Sequence, residues 1–271
     1  MESQTRIGAV VVVYNTGCAD SLTCRGLLQA GAQVDTVVIC DNSTRDFGNA
    51  AFCREQGWVY LGGNGNVGIS KAYNAAIHRL KALGSQVVCL FDDDTQLDSE
   101  YFTVLQTQLK KSDHSVFVPL IYSGSHLLSP SRLEPGMRIR TFADADQALA
   151  YRGEDITAIN SCMAIRLSVF DSYRYDENIF LDGVDHHFMA DMREKGHRTC
   201  VIPYRCNHEF SGDMKQTPDA AGIRFRIFAK DYRYILRNEK WGYLRFVGKR
   251  MLRLTLQHRS LRFLKIMLSN R

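Results

Sequence analysis

Five prolines in 271 residues are too few for a disordered or linker-rich chain. No two of the eight cysteines form a C-x-x-C pair, and Cys40 and Cys89 lie inside apolar runs, so a disulfide framework is not indicated. Reduced thiols of a cytosolic protein fit better. No apolar run approaches the roughly 18 residues of a membrane span. The first residues lack the basic, apolar and small-residue succession of a signal peptide. The expectation is therefore a cytoplasmic protein, with attachment to the inner face of the cell membrane as the one membrane association left open. Its length suits one large domain, or one domain with an appendage, and 45% hydrophobic residues are enough for a sizeable core.

Acidic residues are scarce in one region only. From Arg224 to Arg271 there are 14 Lys or Arg against Asp231 and Glu239, a net of +12, which leaves −7 on the preceding 223 residues. The chain reads as a basic arm on an acidic body. In the arm, aromatic residues interleave with the cations. Leu244, Val247, Met251 and Leu254, then Leu261, Leu264 and Leu268, recur at spacings of three and four, which predicts helices with one apolar face. Such helices either lie on an anionic leaflet or pack on the core or on a second copy of the chain with their cations solvated. Arginine between aromatics also suits nucleic acid, but the acidic body opposes that partner, and none is expected.

The body is organised around Val87-Val88-Cys89-Leu90-Phe91-Asp92-Asp93-Asp94. An apolar run of strand length stops at three consecutive carboxylates. Three negative charges at a buried strand tip are costly unless something positive joins them. Asp92 and Asp94, two apart, point to one side if the strand geometry persists. That pair suits a hard divalent cation held with a diphosphate. The same triplet also reads as a solvated acidic turn or a helix N-cap near Asp98-Ser99-Glu100.

Two more buried strands precede it, Ile7 to Tyr14 and Thr36 to Cys40, with a helix from about Ser21 to Ala30 between them. Each strand exits at polar residues, Asn15-Thr16 and Asp41-Asn42-Ser43. This β-α-β order predicts a doubly wound, mostly parallel sheet with a ligand site along its carboxyl edge. Trp58 to Leu61 reads as a short strand. The loop from Gly62 to Gly68 holds four glycines and opens into a helix from Ser70 to about Leu83, either an anion site at the helix N-terminus or a tight turn. Further predictions are a helix over 99–111, strands over 115–122, 157–166 and 200–203, and a helix over 186–195 closed by Gly196. Residues 123–153 read as irregular, and the chain is helical from about Ala220.

Five of these pieces, in this order, resemble inverting family 2 glycosyltransferases of the GT-A fold. They are the exits at Asn15 and Asp41, the loop Asn66-Val67-Gly68 with Asn74, Asp92-Asp93-Asp94, Phe180-Leu181-Asp182-Gly183-Val184-Asp185, and His208. The likeness, over about residues 6–240, is strongest to bacterial rhamnosyltransferases and related galactofuranosyltransferases of surface polysaccharide synthesis. It implies a Rossmann-like GT-A catalytic domain over 1–220 with a basic helical extension over 221–271. It implies Mn²⁺ or Mg²⁺ on Asp92, Asp94 and His208. A nucleotide-sugar donor, dTDP- or UDP-linked, would meet Val13, Asn15, Asp41, Asn66, Gly68, Asn74, Asp92 and Asp93, with Asp41 accepting the base N3–H.

The same resemblance makes Asp185 the catalytic base, and a first-turn position favours its ionised form. Asp182, three residues earlier, orients the loop or meets a saccharide or lipid-linked acceptor, and His186 is read as an acceptor-side or a surface residue. This chain departs from relatives at His186-His187, where an acidic or aromatic residue is common, and at Asp191, where arginine is. A rhamnose donor, a UDP-galactofuranose or other hexose donor, and a non-catalytic sugar-nucleotide-binding scaffold are the readings left open.

Overall fold

A computed structural model describes residues 4–135, 138–207 and 217–269. The elements run β1 (Ile7–Val13), α1 (Leu22–Ala30), β2 (Thr36–Asp41), α2 (Asn49–Gln56), β3 (Val59–Leu61), α3 (Ile69–Ala82), β4 (Val87–Asp92), α4 (Glu100–Lys111), β5 (Val116–Ser123), β6 (His126–Ser129), β7 (Ser131–Glu134), β8 (Arg138–Thr141), α5 (Ala145–Ala150), β9 (Ile156–Thr157), β10 (Met163–Arg166), α6 (Val184–Glu194), β11 (Thr199–Asn207), α7 (Pro218–Ile235), α8 (Lys240–His258) and α9 (Arg262–Ser269). The large sheet has the order β11-β5-β10-β4-β1-β2-β3, with β6 on β5. β1, β2, β3 and β4 are parallel neighbours, as are β5 and β11, while β10 runs against both β4 and β5. The mainly parallel sheet flanked by helices, with helices after it, is the architecture expected from the β-α-β order.

The central strands are apolar on both faces because both faces are covered. Along β1, Ile7, Ala9, Val11 and Val13 point to one side, where Phe91, Tyr101 and Phe102 fill the layer under α1 and α4. Val10 points to the other side, against Tyr73 and Leu80 of α3 and Phe188 of α6. The order reverses between β1 and β4, since the chain winds outward through β2 on one side and crosses to β4 on the other. That switch point opens a crevice beyond the strands' carboxyl ends.

Three regions differ from the sequence reading. Residues 123–153 carry regular structure: β7 pairs with β8 and β9 in a separate three-stranded sheet. All four residues of β8 are exposed, so the period-2 apolar signal is missing. The strand expected over Thr157–Arg166 is two strands. Thr157 belongs to the small sheet and Met163 to the large one, and between them Met163 N–H donates to the Asn160 carbonyl at 2.9 Å and Cys162 takes φ +59°. α2 was not foreseen; it lies between Gly48 and Gly57 and buries only Asn49 and Cys53, leaving almost no apolar periodicity to read.

The C-terminal helices close on a core of their own, in which Phe225 and Phe228 of α7, Val247 of α8 and Phe263 of α9 are buried together. α7 also reaches the body, and Asp231 on it is wholly buried. Among the described residues no helix is long and apolar enough to cross a membrane.

Candidate active site

The carboxylate turn is held by its backbone, which frees its side chains. Thr23 Oγ1, in the first turn of α1, donates to the Asp92 and Thr95 carbonyls and accepts the Thr95 N–H at 3.0 Å. Ser21 Oγ donates to the Asp93 carbonyl at 2.6 Å. The strand ends at Asp92, so the alternation of a strand does not extend to Asp94. Asp92 Oδ2 accepts from Ser161 Oγ, which leaves Oδ1 for another partner. Asp93 turns back to accept the Tyr14 N–H at 3.3 Å, and burial, followed by repulsion from Asp94 and Asp92, holds its carboxyl above the usual range. Asp94 is exposed.

Across β1, Asp41 ends β2 in register with Val13. Its carboxylate is buried and accepts three hydrogen bonds: Ser43 N–H on Oδ1 at 2.9 Å, and Asn49 Nδ2 (2.9 Å) and Tyr60 Oη (3.2 Å) on Oδ2. A carboxylate offers about four acceptor positions, so one on Oδ1 remains. Burial, reinforced by the neighbouring Asp41 charge, pushes the Tyr60 phenol up to about 12, which keeps it a donor at neutral pH. Asp41 opens onto a cleft of about 310 Å³ lined also by Tyr60, Gly62, Asn64, Gly65, Val67 and Lys71. An acceptor flanked by glycine backbone and one cation suits a pyrimidine base and its phosphates. Asn15, at φ +55°, bridges the two strand exits by accepting from Thr44 N–H and Oγ1, both at 3.0 Å.

The end of the glycine loop, where α3 begins, does something other than present amides to an anion. Val67, Gly68 and Ile69 N–H already donate to Asn42 Oδ1, Asn66 Oδ1 and the Phe180 carbonyl. Gly68 has φ +87°, and a Cβ there would lie 2.7 Å from the Phe180 ring. Only glycine permits that approach. Ser70 Oγ donates to the Ile179 carbonyl at 2.6 Å, and Asn74 spends its amide on Tyr175 and Glu177. The start of α3 is thus fastened to residues 175–180, and Asn74 is not among the residues lining the cleft.

Those residues lead straight to Asp185. Asp231 of α7 accepts the N–H groups of Phe180, Leu181 and Asp182 at 3.0, 2.9 and 2.8 Å. Burial holds its carboxyl above the usual range, partly offset by these three bonds. Arg224, also of α7, grips both oxygens of Asp182, and Arg250 of α8 lies 3.8 Å away. Gly183 then takes φ +79° against Ile235 and Tyr232, and Asp185 falls in the first turn of α6, its Oδ1 accepting the His186 N–H at 2.8 Å. His186 Nδ1 lies 2.8 Å from Thr157 Oγ1, and Asp191 meets Tyr173 Oη (3.1 Å) and His187 (3.8 Å).

One residue reports on both halves. Tyr73 is wholly buried, and its phenol lies well above the usual range, first through burial and then through the charges of Asp92 and Asp185. The Tyr73 hydroxyl and Asn160 Oδ1 are buried without a hydrogen-bond partner among the described residues.

The donor set fits a hard cation in kind: Asp92 keeps one oxygen available and Asp94 stands on the same turn. No group of three metal-binding side chains occurs among the described residues. His208, expected as the third ligand, lies outside them. The sequence reading missed Thr23, Ser161, Asn49, Tyr60, Arg224 and Asp231. Asp231 alone left a trace, as one of two acids in the basic arm.

Comparison with known proteins adds the following. The family model described as Glycosyl transferase family 2 matches residues 9–174. No curated protein matches the chain. Solved structures with the same fold include S. aureus TarS 1–349 in complex with UDP, at TM-score 0.52 and 14% identity over 84% of this chain and 66% of that one. GalNAc-T7 with UDP, GalNAc and Mn²⁺ aligns at TM-score 0.59 and 16% identity, over 98% of this chain and 56% of that one. The mannosyltransferase PcManGT from Pyrobaculum calidifontis, in complex with GDP-Man and Mn²⁺, aligns at 0.58 and 13%, over 99% and 74%. The chain spans between about half and three quarters of these proteins.

Proposed function

The chain belongs to glycosyl transferase family 2, and from that premise we propose that it is a metal-dependent, inverting transferase acting on a nucleotide diphosphate sugar. The observation that carries this reading is the pair of carboxylates at the carboxyl ends of the strands flanking β1: Asp41 opposite Val13, opening onto the cleft that Lys71 lines, and Asp92 opposite Val12, with one oxygen left available. Asp41 receives the pyrimidine N3–H on its remaining acceptor position. Lys71 lies on the cleft wall nearest the glycine loop and offsets phosphate charge. Asp92 and Asp94, with His208, would hold Mn²⁺ or Mg²⁺, which supplies positive charge to the departing diphosphate.

Asp185 takes the acceptor hydroxyl proton as that oxygen bonds to the sugar C1. The C1–O bond to phosphate breaks on the opposite face, and its electron pair leaves with the nucleoside diphosphate, so configuration inverts. Asp182 and His186 border the acceptor side, Asp182 by anchoring the turn. The donor we favour is dTDP-rhamnose and the acceptor a saccharide or lipid-linked saccharide of a surface polysaccharide. A UDP-linked galactofuranose or hexose is the competing donor. Melting the protein with UDP, dTDP, GDP and CDP, each with Mn²⁺, Mg²⁺ or EDTA, tests the reading. At 100 times Kd a ligand of the folded state adds about 2.7 kcal/mol. A metal-dependent shift with dTDP or UDP is expected, and the larger of the two names the donor. No shift with any nucleotide would overturn the reading.

A further inference from the structure

α8 carries two apolar stripes where packing needs one. Tyr243, Val247, Met251 and Leu254 face the core that α8 shares with α7 and α9. Trp241, Leu244, Leu252 and Leu256 form a second stripe along the outer face, with Trp241 85% and Leu256 70% exposed. Leu261, just before α9, and Leu264 and Leu268 on it are exposed in the same way. Among the described residues, seven of the twelve exposed large hydrophobics lie between Trp241 and Leu268. A helix facing water on its outer side carries polar residues there, so this concentration asks for a cover.

The cover must be both apolar and anionic. Arg245, Lys249 and Arg253, all exposed, run beside the leucines at a spacing of four. The two outer stripes meet at a groove of about 360 Å³ lined by Leu244, Met267 and Leu268 together with Arg233, Arg237 and Lys240. A groove with an apolar floor and three cations matches an amphiphile with a phosphate head. Pairing this face with its own copy would bring two strongly cationic arms together, which is repulsive. An anionic leaflet attracts the arm and repels the acidic body, which sets the orientation.

We propose that the outer face of α8 and α9 docks on an anionic bilayer, with the leucines at the acyl boundary and Arg233, Arg237 and Lys240 on lipid phosphate. α7, packed against α8 and α9, holds the turn before Asp185, and Arg250 of α8 lies 3.8 Å from Asp182, so docking would set that turn behind the membrane-facing helices. The proposal refines the lipid-linked acceptor of the reading above, yet its test needs no nucleotide, so the two fail separately.

The full chain is sedimented with phosphatidylcholine vesicles with and without phosphatidylglycerol, at low and high salt. Partition into the anionic vesicles is expected to exceed that into neutral ones by at least about tenfold, since each basic residue near the surface contributes roughly fivefold, and to weaken with salt. In a Trp58→Phe background, Trp241 emission shifts to the blue and is quenched by brominated acyl chains. Leu252→Glu with Leu256→Glu abolishes partition without changing the melting temperature, because both side chains are exposed. Arg237→Glu with Lys240→Glu removes the preference for phosphatidylglycerol. Equal partition into both vesicle types, or leucine variants that bind as before, would overturn the proposal. So would full release by inorganic phosphate, which would mark the groove as a free-phosphate site. A discrete oligomer that the leucine variants disperse would do the same by making a second copy the cover.

Discussion

The turn Asp92–Asp94 and the turn Phe180–Asp185 both deliver carboxylates to the crevice, but they are braced by different chemistry from opposite ends of the chain. Neutral hydroxyls of α1, Ser21 and Thr23, hold the first. A buried anion and an arginine pair from α7, Asp231 and Arg224, hold the second. A hydroxyl brace adds no charge to a site proposed to gather a cation and a diphosphate. A charged brace can stand next to Asp185 because Asp231 is satisfied by three amides and Arg224 by Asp182. The half of the site proposed for the donor is thus local to the sheet edge, and the half carrying Asp185, the proposed base, depends on helices that the family match does not reach.

The largest expected effect tests the second turn's payload. Asp185→Asn should lower kcat by on the order of a thousandfold while metal-dependent nucleotide binding persists, as befits loss of a general base. Isothermal titration beside a transfer assay separates the two quantities, and undiminished turnover would remove Asp185 from the reaction.

Next comes the brace. Asp231→Ala leaves three buried amides without an acceptor and should cost roughly 3 kcal/mol in urea unfolding. Where enough folded protein remains, kcat should fall more than nucleotide affinity. Equal losses in both would mean that the two turns are not separately held.

pH sharpens this point. Because the carboxyl of Asp231 is raised in the folded chain, the folded state holds that proton longer than the unfolded one. The contribution of Asp231 to stability therefore falls as pH rises from its ordinary 3.8 through its raised value, then stays level. The stability gap between wild type and Asp231→Asn should narrow across that window, and a gap that widens would reverse the assignment.

Thr23→Val keeps the shape but removes the hydroxyl brace, at a cost of about 1–2 kcal/mol. Here metal-dependent nucleotide binding should weaken and the turnover of bound donor should change little, the reverse of the Asp231 pattern. The smallest effect is at Tyr60→Phe, where one of three bonds to Asp41 is lost and pyrimidine nucleotides should bind about threefold to tenfold more weakly.

What the sequence discloses follows the same division. Strands apolar on both faces, such as Val87–Phe91, are unmistakable, and so is a carboxylate triplet at a strand exit. The helix over 69–82 announces itself through its apolar period, and helices after residue 218 through their leucine spacing. Thr23 and Ser161 give no local signal, because a hydroxyl that braces a turn 69 residues away is an ordinary polar residue in its own neighbourhood. The small sheet of β7, β8 and β9 is hidden by its exposure, and the broken strand over 157–166 by its continuous apolar character. The glycine loop misleads in a particular way: Gly68 serves a close contact with Phe180, and the amides at the start of α3, Val67 to Ile69, are already engaged. Asp231 is the instructive exception, since an acid among fourteen cations is conspicuous while the three amides that explain it lie 49 to 51 residues upstream.

That distance has a consequence for synthesis. A ribosome delivers the sheet, the carboxylate triplet and Asp185 before it delivers Asp231, and domains condense from the N-terminal side as they emerge. A nascent chain ending near residue 217 would hold every side chain assigned to the reaction, yet the turn that aims Asp185 would still lack its acceptors. On the proposed function, activity would wait for α7, and the helices that follow it carry the face proposed to meet the membrane.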